Sequence, residues 1–578
     1  MSKLILAEQG KALLPICVAA GACDGQKNAA KDLAHYLKRI SGARFVVKEG
    51  FEEESIRLLI DEKLEEEAFT VHSDDKGMEI AGGSLRGLFY GVYGFLEDAL
   101  GVRFYTHDMT KLPKITTLTV ENVDISEKPA LEFRQLDTPL NMYADWRAHN
   151  RVNGPFHSKY TVKNDPIKEF GGMKSYVTGM FVHTFNKLVD PEVYFDEHPE
   201  YFALVDGERV KVRTQPCLTN PEVIALATEN VRKALRAEPE SRIISVSQND
   251  WFNPCQCPEC ARVDAEEGSC AGTMLRFVNA IAEGIEEEFP QVVVDTLAYK
   301  YTRKPPKITK PRHNVCVRLC DIECCFAHPL ETCHVHTKSY NNDPRLSGSS
   351  FQEDLIGWGK ICDRIYIWDY VTDFMHYWMP YPNFQVLAPN MQFFVKNGVK
   401  GVYPEGNYQS VSPDLAELRS WLLAKLMWNP DFDVAKGMRE FCEFVYGEAA
   451  EDILAYIELL SRRVAEGNIH FGIKEDPDTE FMDKATLARA QELMTSAQGK
   501  NLSLSQRLYV EKAALSVEFA AVGQEILSGV VNDDRIDAMM EKARTLGITY
   551  ISEREEWHKA HRRMLQGSMV GANAAIVG

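Results

Sequence analysis

"IISVSQNDWFNPCQCPEC", residues 243–260, decides how the rest of the chain is read. An apolar-alternating run, Ile243-Ile244-Ser245-Val246, leads into an amide and a carboxylate, Asn249 and Asp250. Three cysteines, Cys255, Cys257 and Cys260, follow within ten residues of that carboxylate. Either this is a metal centre, or it is an acid at the end of a strand with a structural clip beside it. What the flanking sequence builds settles the choice.

Outward from this stretch the same rhythm recurs. Strand-like runs are "LEFRQLD" (131–137), "GMFVHT" (179–184), "QPCLTN" (215–220), "IISVSQ" (243–248), "VVVDTLAY" (292–299), "NVCVRLC" (314–320), "RIYIWDY" (364–370) and "KGVYPEG" (400–406). Helical patterns such as "AGTMLRFVNAIAEGIEEEF" lie between most of them. Strands alternating with helices over about 300 residues predict a (β/α)8 TIM barrel, here residues 128–430. The third run is the least regular, because Pro216 removes a ladder donor. Residues 1–127 alternate short strands with one amphipathic and one strongly apolar helix and read as a small N-terminal α/β domain. Residues 431–578 repeat apolar positions at three and four throughout and read as a C-terminal helical domain.

Composition narrows the function. The chain has 578 residues, 45% of them hydrophobic, with a net charge of −19. Such an acidic balance argues against nucleic acid or an anionic membrane surface as partner. No apolar run reaches the roughly 18 residues that would suggest a membrane span. The N-terminus shows no signal-peptide pattern, so a cytoplasmic location and reduced thiols are expected for the fourteen cysteines. No glycine-rich phosphate loop, G-x-S-x-G elbow or HExxH motif is present.

In a barrel, function gathers at the C-terminal strand ends. Those ends carry Arg134 and Asp137, His183, Asn249 and Asp250, Tyr299 and Tyr301, Asp321 and Glu323, Trp368 and Asp369, and Glu405 and Asn407. Asp137 and Asp321 read as caps or turn formers, and Glu405, in "PEGN", reads as either a turn residue or a site residue. Asp250, Glu323, Asp369 and Glu405 are the catalytic candidates. Arg134, His183, Asn249, Trp251, Tyr299, Tyr301, Trp368 and Asn407 are the substrate-binding candidates. Paired carboxylates among aromatic platforms are the chemistry of glycoside hydrolysis: one protonates the leaving oxygen, the other attacks or activates water. A carbohydrate substrate is therefore expected, with no cofactor for catalysis.

Together, "SVSQNDWFNPCQCPEC", "DTLAYKYTRKPPK", "VRLCDIEC", "IYIWDYVTDF" and "KGVYPEGNYQS" resemble the family of domain of unknown function 4838. Part of that family is classed as glycoside hydrolase family 163, endo-β-N-acetylglucosaminidases acting on N-glycans. The N-terminal domain and "HPEYFALVDGERV…QPCLTNPEV" are also similar to the α-glucuronidase-like architecture of α/β cap, barrel and helical domain. The resemblance covers roughly residues 80–460. It implies an acid/base after the fourth strand and a second carboxylate after the seventh, the places of Asp250 and Asp369, with Glu323 after the sixth. Many relatives carry glutamate where this sequence has Asp250. The activity implied is endo-β-N-acetylglucosaminidase-like. The alternatives are an α-glucuronidase-like exo-glycosidase and a non-catalytic carbohydrate-binding barrel.

The opening stretch is then an acid beside a clip. C-x-C-x2-C supplies three thiolates and Cys217 a fourth, so a structural zinc, a disulfide and packed free thiols all stand as readings.

Overall fold

The computed structural model describes residues 3–156, 166–337 and 348–569. Near the N-terminus, a six-stranded sheet runs in the order Asp124–Glu127, Phe69–Ser73, Met78–Gly82, Ile56–Ile60, Ile16–Val18, Val47–Glu49. Helices Asp24–Ser41 and Leu85–Gly94 accompany it and share one core that includes Ile16, Leu33, Leu37, Leu58, Phe69 and Leu88. Ser84 caps the second helix by accepting a hydrogen bond from Gly87 N, as its side-chain chemistry favours.

The central unit is a curled parallel sheet. Its order is Phe133–Arg134, Val399–Glu405, Ile365–Tyr370, Val315–Cys320, Val293–Ala298, Ile243–Ser245, so the first strand pairs directly with the last. Residues 292–299 and 314–320 lie in this one sheet, as adjacent strands. Beyond Ile243 the sheet continues irregularly. Tyr176 forms a parallel bridge with Ile243, and Val177 N donates to Ile243 O. On the other side, Asn153 N and Gly154 N both donate to Arg134 O, and Lys174 N donates to Asn153 O.

Two of the expected strands are not strands. In 179–184, Gly179 and His183 take positive φ of 73° and 53°, which break an extended run. The segment at 215–220 lies outside the parallel sheet, and its β-pairing among the described residues is an antiparallel bridge between Phe202 and Pro216.

Side chains inside the curl stack in layers. Phe133 and Tyr366 lie face to face at 5.1 Å, and Gly401 permits this, because a Cβ there would fall 2.6 Å from the Tyr366 ring. Above them Arg318 Nε reaches Asp295 Oδ2 at 3.1 Å, and its guanidinium lies over the rings of Phe181, Tyr176 and Trp368. The C-terminal helices, from Val434–Val445 to Trp557–Leu565, share a core with this sheet. They are not helical throughout: a hairpin, Tyr550–Ser552 with Glu555–Glu556, interrupts them. Among the described residues no helix is long and apolar enough to cross a membrane.

Arg134 belongs to the joint between the N-terminal sheet and this sheet, which corrects its expected role in substrate binding. Its guanidinium pairs with Glu67 at 2.8 Å and lies over Trp428. Glu67 also holds Arg86 at 2.6 Å. Burial pushes the Glu67 carboxyl up, but Arg134, Arg86 and Lys174 outweigh it and hold the group at about 2. A depressed carboxylate contributes stability above its unfolded value, near 4.3, and loses it as pH falls through the folded value. Glu67→Gln is expected to cost about 3–5 kcal/mol by taking the carboxylate partner from the buried Arg134. Its melting temperature should change less than the wild type's below about pH 4.3, which thermal denaturation across acid pH would read.

Candidate active site

The carboxyl ends of the parallel strands open into one pocket of about 930 Å³, counted to its mouth. Strand pleating decides what enters it, because successive side chains alternate faces. In Ile365–Tyr370, Trp368 and Tyr370 line the pocket. Leu297 and Tyr299, Cys320 and Ile322, and Glu405 do the same from their own strand ends.

Asp250 enters on the loop after Ile243–Ser245. Tyr299 donates its hydroxyl to Asp250 Oδ1 at 3.1 Å, and Lys300 Nζ lies 3.3 Å from the same oxygen. Lys300 is buried and in the left-handed region (φ 52°), with its ammonium 4.7 Å from the centres of both the Phe252 and Tyr299 rings. Burial pushes the Asp250 carboxyl up. Lys300, His183 and the hydrogen bonds from Lys300 and Tyr299 outweigh burial and hold it below its usual range. A carboxyl held this way is ionised, unlike the protonated acid that the resemblance implies for its place.

His183 donates from Nδ1 to the Gln248 carbonyl at 2.7 Å, since a carbonyl only accepts. Burial holds its pKa below the ordinary value, so the ring is neutral at pH 7. Gln248 is tied in turn to Tyr299 O and Thr302 Oγ1, so the loop bearing Asp250 is fixed to the one bearing Lys300. Across the pocket, Trp368 Nε1 donates to Glu405 Oε2 at 2.9 Å. Glu405 is 8% exposed, a pocket residue rather than a surface turn.

The helical region completes the wall with Ile473, Lys474, Glu553 and Arg554. Glu553 and Arg554 sit at the tip of the interrupting hairpin, which Tyr377 N to Ile551 O (2.8 Å) and Glu553 N to Phe374 O (3.1 Å) pin to the pocket. Burial, with Lys300 and Arg554 nearby, lowers the Lys474 pKa. Lys300 had a sequence signal, a lysine inside the aromatic run "AYKY". The residues from the helical region had none, because only tertiary folding brings them here.

Several expected site residues lie elsewhere. Asp369 points to the outer face of its strand, into a cavity with Val386, Leu387 and Asn390. Glu323 is buried in an ion pair with Arg303, which also binds Asp354 at 2.7 Å. Asn249 spends its amide on Asn186 and Thr214 and positions the loop rather than a ligand. Trp251 packs under Arg213, and Tyr301 lines a separate small cavity beside Cys270 and Asp264. Asn407 closes its own turn by donating to Ser410 O, and Asp137 is no cap but the acceptor of the Tyr403 hydroxyl.

The four cysteines Cys217, Cys255, Cys257 and Cys260 do come together, buried, with sulfurs within 4.8 Å of one another. None of the four is disulfide-bonded in this structure. Cys217 Sγ lies 3.7 Å from Cys257 Sγ and 3.9 Å from Cys260 Sγ. A tetrahedral zinc with Zn–S of about 2.3 Å sets its sulfurs about 3.8 Å apart, so these residues fit a structural ion. Cys255 and Cys260 line a different cavity from the one holding Asp250.

The sequence pattern of the domain of unknown function DUF4838 matches residues 104–458, more than half of the chain. That of glycosyl hydrolase family 20, domain 2, matches residues 9–97. A comparison with curated protein sequences gives no match. Among solved structures, a GH138 enzyme targeting pectin rhamnogalacturonan II is 12% identical, with a TM-score of 0.50 over 95% of this chain and 78% of that one. The N-acetyl-β-hexosaminidase of Streptomyces plicatus is 13% identical, with a TM-score of 0.45 over 76% and 91%. The β-N-acetylhexosaminidase of Bacteroides fragilis is 13% identical, with a TM-score of 0.41 over 75% and 91%. These similar structures are glycoside hydrolases, and the first shows a shared fold.

Asp369 and Asp321 form a pair behind the pocket wall. Burial pushes Asp369 up to about 7, against hydrogen bonds from Tyr370 N and Asp321. Burial and the Asp369 charge raise Asp321 further. A raised carboxyl contributes stability below its unfolded value of about 3.9 and loses it as pH rises through the folded one. The wild-type melting temperature should therefore fall between about pH 4 and about pH 7, and Asp369→Asn should flatten that fall. The same variant should leave turnover within a few-fold of wild type.

Proposed function

This chain belongs to the DUF4838 family, and on that premise we propose that it is a glycoside hydrolase whose reacting carboxyls are Asp250 and Glu405. The observation that carries the reading is their convergence on one aromatic pocket at the carboxyl ends of parallel strands. We read the curled sheet as a closed (β/α)8 barrel in which the segments at Asn153 and Tyr176 fill the two places between Arg134 and Ile243. The hydrogen bonds bridging that gap support this.

Roles follow from electrostatics. Lys300 and Tyr299 keep Asp250 an anion, which suits it to attack the anomeric carbon, or to activate water, and to stabilise the positive charge developing there. Glu405 is then the acid that protonates the leaving oxygen. Trp368 holds one of its oxygens, which orients the carboxyl. Tyr299, Trp368, Tyr370 and Phe374 provide apolar faces for a sugar ring and exclude water.

The family resemblance favours a glycan containing N-acetylglucosamine. A second reading, a sugar bearing a carboxylate, is favoured by the two basic side chains lining the pocket, Lys474 and Arg554. A panel of aryl glycosides and N-glycans separates the two, and a non-catalytic carbohydrate binder would turn over none of them.

Losing a general acid costs about 10²–10⁴-fold, and the cost shrinks when the leaving group needs no protonation. Glu405→Gln should therefore slow the natural glycan by that factor and largely spare a dinitrophenyl glycoside. Asp250→Asn should slow both alike. The reverse pattern would return the acid role to Asp250, and two unaffected variants would remove both residues from the mechanism.

A further inference from the structure

A second cluster of metal-ligating side chains joins the loop after Val315–Cys320 to the helical region. The loop carries Cys325, His328 and Cys333, spaced C-x2-H-x4-C. His470 comes from beyond the Ala450–Gly467 helix, where Asn468, at φ 46°, ends the helix and turns the chain. Cys325 Sγ lies 3.4 Å from His328 Nδ1 and 3.3 Å from His470 Nδ1. Cys333 Sγ lies 3.6 Å from His470 Nδ1. One ligand atom from each of the four falls within 4.8 Å of all the others.

We propose that Cys325, His328, Cys333 and His470 bind one structural zinc ion that clamps this loop to the helical region. Tetrahedral zinc, with Zn–S of about 2.3 Å and Zn–N of about 2.0–2.1 Å, sets sulfur and nitrogen ligands about 3.6 Å apart. The observed separations sit at or just inside that spacing, as expected for a ligand set that needs only a small expansion to take the ion. Two thiolates and two imidazoles fill all four positions and leave none open for substrate, so the role is structural. His470 Nε2, the nitrogen left over, would carry the proton and lies 3.4 Å from Asn468 Nδ2, so a flip of that amide would turn Oδ1 toward it as the acceptor.

The clamp bears on the pocket. Residues just past His470 are laid onto the parallel-sheet loops: Phe326 N donates to Phe471 O at 3.0 Å and Phe374 N to Ile473 O at 2.8 Å. Ile473 and Lys474 then line the pocket. A zinc at His470 fixes the backbone four residues before Lys474, so metal loss frees that wall while leaving Asp250 on its own loop and Glu405 on its strand.

The test is metal analysis of full-length protein purified without chelator. Cys333→Ser and His470→Ala should each hold one zinc equivalent per chain less than wild type. Their amide hydrogen exchange should quicken across residues 468–476 and not around Cys217 and Cys255–Cys260. In cobalt-substituted protein, His470→Cys should keep the ion, and its added thiolate should raise the sulfur-to-cobalt absorption above wild type. That variant keeps four ligands and guards against misfolding of the others. Wild type without zinc, variants with undiminished zinc, or a His470→Cys cobalt spectrum identical to wild type would each overturn the proposal. The contacts would then be thiol–imidazole hydrogen bonds alone.

Discussion

A strand turns successive side chains to opposite faces, and in this molecule that alternation decides which carboxylates can meet. Ile365–Tyr370 and Val399–Glu405 are parallel neighbours, with Trp368 opposite Tyr403 and Tyr370 opposite Glu405. Residues paired this way face the same side. Trp368 and Tyr370 therefore bring Glu405 with them into the pocket, and Asp369, one residue out of phase, is turned to the outer helices. A one-residue slip in either strand would exchange these roles. The Trp368–Glu405 hydrogen bond is the side-chain expression of that register.

Beneath the pocket the interior is closed by aromatic rings around the buried Arg318–Asp295 pair. Burying two charges is expensive unless they satisfy each other and further groups. Here Arg318 also donates to Phe181 O, and Tyr176 donates to Asp295. Lys300, placed against Asp250 and beside the Phe252 and Tyr299 rings, helps hold that carboxyl below its usual range.

Much of this was legible in the sequence, for reasons that also explain the failures. Six parallel strands announce themselves as apolar β-runs, and Asp250 follows one of them directly. The runs at 179–184 and 215–220 looked alike to a pattern reading, but left-handed residues in the first and Pro216 in the second exclude regular strands. The direction of Asp369 is not legible in the sequence because "IYIWDY" is buried on both faces, and such strands lose the alternation that would reveal which residues point inward. Arg134 and Glu323 are charged strand-end residues whose partners, Glu67 and Arg303, lie 67 and 20 residues away. The hairpin bearing Glu553 and Arg554, and His470 beside Cys325, are brought together only by the packing of the helical region on the sheet.

The central claim is that Asp250 and Glu405, and not Asp369 or Glu323, act on a sugar. A crystal structure with a bound product glycan tests it most directly. The account predicts a pyranose ring against Trp368 and Tyr299, with the Asp250 and Glu405 carboxyl groups on opposite sides of its anomeric carbon, about 5–9.5 Å apart. A sugar bound elsewhere, or those two carboxyls more than about 10 Å apart with the ring in place, would contradict it.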